Sequence, residues 1–143
     1  MTRVRQLPSW IALAPTLGLV LGAAGCGKFR EVSACRSVAR QVNGAADEID
    51  ALAKAKPPDE LRIAKRHGEL AKALQPRATG ETPLAAAVRD YVAILHGTET
   101  ALRAHDQLAK TPYPKMTDSK REIERLAKRE HATATRIDAE CHN

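Results

Sequence analysis

Aromatic side chains are scarce in this chain of 143 residues: Trp10, Phe29, Tyr91 and Tyr113 are the full set. That leaves no platform on which bases could stack, and nucleic acid is not an expected partner. It also leaves little lining for a haem. Glycine is sparse, with 8 in total, and the glycines form neither a phosphate-cradling loop nor a nucleophile elbow around a serine. Valine and isoleucine are scattered at helical spacing, so no stretch reads as a strand. The three cysteines form no CxxC or CxxCH, which leaves thioredoxin-type redox chemistry and covalent c-type haem unsupported. The five histidines, His67, His96, His105, His131 and His142, stand in no HxxxH, HExxH or ExxH pattern, so neither a local metal pair nor a carboxylate-bridged di-iron centre is signalled. The expectation is a protein without enzymatic activity and without a cofactor.

What the chain does contain is alanine, leucine and charge. Charged residues make up 28% of it, and together with few glycines and many alanines this argues for helices. Prolines divide the chain after its N-terminal segment into four pieces. The first, about Phe29 to Ala55, carries an apolar stripe of Val32, Cys35, Ala39, Val42, Ala46, Ile49 and Ala53 at three-and-four spacing. Pro57-Pro58 ends it. Asp59 and Glu60 then open a shorter helix, where the macrodipole favours acids, with Leu61, Ala64, Gly68, Ala71 and Leu74 on one face. Residues 75–83 form the longest linker, and Thr82 followed by Pro83 reads as an N-cap with proline in the first helical position. The third helix has Leu84, Val88, Tyr91, Leu95, Thr98, Leu102 and His105 on its seam. Residues 111–115 are a stiff connector. The fourth helix, about Thr117 to Cys141, places Ile123, Ala127, Ala134, Ile137 and Cys141 on one face.

The N-terminal segment has its own character. Arg3 and Arg5 precede an apolar run, Leu7 to Ala24, that is interrupted by Pro8 and Pro15 and ends in small residues. Leu21-Gly-Ala-Ala-Gly-Cys26 closes it. This stretch resembles the lipobox of a bacterial lipoprotein precursor, with Ala23 standing where the family usually has leucine. The resemblance implies that residues 1–25 are a signal peptide removed on maturation, and that Cys26 becomes the lipidated N-terminus of a single domain, residues 26–143. It also implies a cell-envelope location held by the membrane through that lipid. Gly27, in place of the aspartate that marks inner-membrane retention, points to the outer membrane, facing the periplasm.

In that oxidising setting the two remaining cysteines, Cys35 and Cys141, are expected to pair. Short connectors make sequential helices antiparallel. In an all-α, up-down-up-down four-helix bundle, the start of the first helix and the end of the fourth lie at the same end, which brings these cysteines together. The second helix is shorter than the others, and residues 76–81 in extended form are expected to span the difference.

The formal net charge of +6 is unevenly spread. Lys54, Lys56, Arg62, Lys65, Arg66, Lys72 and Arg77 crowd on and around the second helix against Asp59, Glu60 and Glu69. This basic surface reads first as a solvated face and second as a docking surface for an anionic envelope component or partner protein. Stacking the helices about their connectors puts His96 level with His131, near Glu130, and His67 level with His105. A His96–Glu130–His131 metal or polar cluster is one consequence. The leading expectation is a lipid-anchored binding or scaffolding module; the alternative is a periplasmic ligand- or metal-binding bundle.

Overall fold

A computed structural model describes residues 25–111 and 116–142, with side chains from Arg30 onward. The expected signal segment and the side chain of Cys26 lie outside the described residues. Four helices make up the fold: α1 (Gly25–Ala53), α2 (Glu60–Leu74), α3 (Pro83–Ala109) and α4 (Thr117–His142). No strand occurs among the described residues. The protein is therefore an all-α four-helix bundle. No helix among the described residues is long and apolar enough to cross a membrane.

The helix starts follow from local chemistry. Asp59 is the N-cap of α2, its carboxylate accepting from the Arg62 backbone N–H at 3.0 Å. Thr82 caps α3 in the same way, accepting from the Ala85 N–H at 3.1 Å with Pro83 directly after it. Each cap satisfies one of the backbone donors that a helix start leaves free.

α3 is the axis of the bundle. Leu84 is half-buried, and the other six seam residues expected from the sequence, Val88 to His105, are buried. α2 and α4 both pack extensively along α3, while α1 packs on α2 and more sparsely on α4. Across α3 and α4 the pairs run in opposite chain order: His105 meets Ser119, Tyr91 meets Glu130, and Asp90 meets Arg136. The two helices approach closely at Gly97, where an added Cβ would sit 3.3 Å from Leu126.

Two apolar clusters form the core. The larger gathers Val38, Leu70, Leu74, Val88, Leu95 and Ile137, and the smaller gathers Ile63, Ala64 and Leu102 with Ile49, Leu52 and Ile123 against them. Along α2 and α3 the buried polar residues His67 and Thr98 fall between the two clusters.

Several details differ from the sequence expectation, among them Ala127 of the expected α4 face, which is exposed beside a buried Leu126. The buried face of α1 is turned: Val38 and Ala45 are fully buried, whereas Ala39, Ala46 and Ala53 are exposed. Alanines occur on more than one face of this helix, so their spacing alone does not select the buried one. The linker is not extended either. Gln75–Arg77 forms a 3₁₀ turn that continues from α2, and Ala78 is buried in the larger cluster. Arg89 Nη1 donates to the carbonyls of Ala78 at 2.8 Å and Gly80 at 3.2 Å, tying the linker to α3. Folding the linker inward covers apolar surface and satisfies its carbonyls, both of which an extended strap would leave to solvent.

Candidate functional site

The two cysteines expected to pair do so. Cys35 on α1 and Cys141 on α4 form a disulfide with Cα atoms 5.5 Å apart, and Cys141 packs against the larger core cluster. The bond lies about two and a half turns along α1 from Cys26. Between α1 and α4 beside it runs an open groove of about 550 Å3, with Val32, Ala39 and Val42 on one wall and Ala134, Ile137 and Cys141 on the other.

The structure places the expected basic surface mostly among its own counter-charges. Lys54 pairs with Asp50, Arg62 with Asp59 at 3.8 Å, and Lys65 with Glu69 at 3.7 Å. Arg66 is half-buried and reaches across to α1, its guanidinium 2.7 Å from Glu48. It serves as an interhelical clamp rather than a free surface charge. Lys56, Lys72 and Arg77 are exposed and have no carboxylate partner among the described residues.

The histidines separate into two groups. His96 and His131 are exposed, and His96 faces Glu99 of its own helix at 3.9 Å. The conceivable His96–Glu130–His131 cluster is not what Glu130 joins. Glu130 instead turns inward to His67 on α2, with Oε2 3.3 Å from Nε2, and to the Tyr91 hydroxyl, 3.4 Å away. Heights along the bundle put His96, His131 and Glu130 level, but the helices direct them to different faces.

His67 and Tyr91 are buried with Glu130 half-buried beside them, and the electrostatics of the group are self-consistent. His67 Nδ1 donates to the Ile63 carbonyl at 2.8 Å, which leaves Nε2 toward Glu130. Burial opposes charge on His67, yet the Glu130 carboxylate, the Ile63 carbonyl and the Glu99 charge outweigh it and hold its pKa above the ordinary 6.5. Burial, reinforced by Glu130, keeps the Tyr91 hydroxyl protonated well past the usual phenol range. Glu99 lies over Gly68, where an added Cβ would fall 2.3 Å from Glu99 Oε2; the bare backbone there is what admits the carboxylate.

A second histidine is also buried. His105, with a side chain 6% exposed, has Nδ1 2.8 Å from Ser119 Oγ and Nε2 3.8 Å from Glu60 Oε1. It borders a cavity of about 410 Å3 where the Pro57-Pro58 turn, the start of α2, the end of α3 and Met116 meet. Ser119, which from sequence is a first-turn residue of α4, donates its hydroxyl to the Met116 carbonyl at 2.9 Å. That proton is committed to the backbone, so this serine is not set up as a nucleophile despite its histidine neighbour. Among the described residues no group of three or more His, Cys, Asp or Glu could hold a metal ion. No pattern of adjacent residues marks either histidine site, because each draws its members from three helices.

Compared with known proteins, the chain matches no family model, no curated protein and no solved structure.

Proposed function

We propose that the chain is a lipid-anchored, non-enzymatic helical bundle of the bacterial cell envelope that acts by binding or scaffolding. In this reading Cys26 carries the lipid after removal of residues 1–25, and the bundle stands at the outer membrane, facing the periplasm. Two or three acyl chains on one cysteine suffice for stable anchoring, where a single chain gives only marginal binding. The observation that carries the reading is the Cys35–Cys141 disulfide, since such bonds form and persist in oxidising compartments. It agrees with what the lipobox resemblance implies independently. The reversed pairings across α3 and α4 support an up-down-up-down path in which the disulfide staples the end near the anchor. The partner is the membrane itself, and the exposed Lys56, Lys72 and Arg77 are the available contacts for an anionic envelope component.

The test is intact mass spectrometry of the protein purified from envelopes, with and without reduction. The expected result is a chain beginning at Cys26, heavier than its sequence by the mass of a lipid, and heavier by two hydrogens after reduction. A chain cut elsewhere, with an unmodified Cys26 thiol, would remove the anchor from the proposal.

A second reading, a ligand-binding bundle, is favoured by one specific observation: the buried His105 bordering a cavity.

A further inference from the structure

We infer that the bundle leans onto the membrane along the first half of α1, where Val32, Arg36 and Arg40 form a stripe that takes up the phosphates of anionic phospholipid headgroups. The inference rests on the anchored reading above and adds to it the lipid class and the face that meets it.

The charge of α1 is arranged for a partner outside the bundle. Among residues 30–46 the cations are Arg30, Arg36 and Arg40, and Glu31 is the one acid. The acids Asp47, Glu48 and Asp50 follow in the second half. The helix has no acid in its first turn, where Lys28 stands instead, and no base in its last, against the preference of the macrodipole. α2, with Glu60 in its first turn and Lys72 in its last, follows that preference. Arg36 and Arg40 stand four residues apart, a spacing at which like charges repel on a helix. At the same spacing beyond them come Val32 and Gly44, not acids. Both arginines are exposed and have no carboxylate partner among the described residues; Arg40 Nε donates to the Arg36 carbonyl at 3.3 Å. An anion shared by the two guanidiniums relieves the repulsion, and the planar fork of arginine suits a phosphate. Asp138, the acid on the far wall of the groove beside Arg36, faces His142 of its own helix at 3.6 Å.

Position selects the lipid. At about 1.5 Å per residue, Val32, Arg36 and Arg40 lie roughly 9, 15 and 21 Å along α1 from Cys26. An upright bundle would carry Arg40 past the screening length of about 8–10 Å; a bundle leaning on α1 brings all three to the surface. Val32, 50% exposed, then enters the interface beside the arginines, as the apolar residues of interfacial helices do. The end of α2 lies level with this stripe. Val38 shares a core cluster with Leu74 and Ala78, and counting in opposite directions from the Arg66–Glu48 pair places residues 36–42 beside 72–78. Lys72 and Arg77, both exposed, flank the stripe there. Lys56 lies past the other end of α1 and takes no part.

The experiment uses the mature protein purified from envelopes, placed in lipid nanodiscs carrying a trace of gadolinium-chelating lipid. The discs are of phosphatidylcholine alone or of equimolar phosphatidylcholine and phosphatidylglycerol, and backbone NMR reads the paramagnetic broadening. The expected result is broadening of residues 30–44 and 72–77 in the phosphatidylglycerol discs. It should retreat to the residues next to Cys26 in phosphatidylcholine, or in about 1 M salt, where the screening length is about 3 Å. Arg36→Gln with Arg40→Gln should cut the broadening of residues 36–44 several-fold, with an unaltered fold shown by a matching urea midpoint. Arg36→Lys with Arg40→Lys should retain most of it, and Lys56→Gln all of it. Equal broadening in the two lipids, or in the double glutamine variant, would overturn the inference. So would equal shifts of Arg36 and Arg40 on adding inorganic phosphate without lipid, which would make the stripe a small-anion site. A Cys26 without lipid removes the anchored reading alone. The stripe is then tested by sedimenting the same protein with vesicles of the two compositions, and equal sedimentation in both, or no loss in the double glutamine variant, would overturn it.

Discussion

At the scale of single residues, the most informative group is His67, Glu130 and Tyr91, one from each of α2, α4 and α3. With the pKa of His67 raised in the fold, its protonated form is bound more tightly by the native state than by the unfolded chain. The stabilisation is complete below the ordinary histidine value of 6.5 and is lost as pH rises through the higher folded value. The raised Tyr91 pKa acts in the same direction at still higher pH. Urea midpoints measured across this range should therefore fall with increasing pH. Glu130→Gln should flatten that fall, and Glu130→Ala should cost about 1–3 kcal/mol by leaving a buried histidine without its partner. A pH profile unchanged in Glu130→Gln would show that the pair is not charged. Gly68→Ala tests the neighbouring contact. The new Cβ meets only the far end of the flexible Glu99 side chain, and alanine is better than glycine in a helix by about 1 kcal/mol. The expected stability change is within about 1 kcal/mol of zero, whereas Gly68→Leu should destabilise by more than about 2 kcal/mol through overpacking. The sequence marks Glu130 as close to the α4 seam and His67 as a candidate, but does not join them. Helical periodicity yields height and face within one helix; which faces oppose each other depends on rotations that single-helix patterns do not contain.

At the scale of elements, legibility follows the contrast between a helix's faces. α3 sets large apolar residues apart from alanines and charges, and its seam is read from spacing alone, down to the buried His105. α1 offers alanines on several faces, so the stripe through Ala39, Ala46 and Ala53 was as regular as the buried one through Val38 and Ala45. The caps are legible for a different reason: an acid or hydroxyl residue before a helix acts locally, without reference to packing. Asp59→Ala and Thr82→Ala should each cost about 1 kcal/mol, measured by urea denaturation. Packing supplies a sharper comparison within α2. Leu74 is fully buried and Leu61 is 41% exposed, although both lie on the apolar face read from sequence. Leu74→Ala should cost about 2–5 kcal/mol and Leu61→Ala less than about 1 kcal/mol. Equal costs would mean that α2 is rotated from the arrangement described. The inward fold of the linker was beyond pattern reading, because Ala78 is a single small residue whose burial depends on the groove that α2 and α3 leave for it.

At the scale of the whole molecule, the disulfide and the unequal packing of α1 belong to one design. α1 is held to α2 by the Arg66–Glu48 clamp and by Ile49 and Leu52 against the smaller cluster, all in its second half. Among the described side chains of its first half Val38 is the only fully buried apolar one, and the packing of α1 on α4 is sparse. The open groove beside Val32 and Ala39 lies on that same half. The bond from Cys35 to Cys141, spanning 106 residues of sequence, therefore joins the contacts of Val38 and Val42 in holding this part of α1 to the bundle. A cross-link closing so long a loop is worth up to about 4–5 kcal/mol through the entropy of the unfolded chain. Cys35→Ser with Cys141→Ser should lower stability by about 2–5 kcal/mol, and the loss should not be uniform. Hydrogen exchange should show the amides of residues 30–45 opening well below the global unfolding free energy, while α3 continues to exchange only through global unfolding. Equal loss of protection in α1 and α3 would mean that the apolar contacts of Val38 and Val42 hold α1 unaided. If the reading of Cys26 is right, the half of α1 that loosens is the half next to the membrane. Reduction would then detach the bundle's base from α4 while leaving the His67 and His105 sites, both built on α2, α3 and α4, intact.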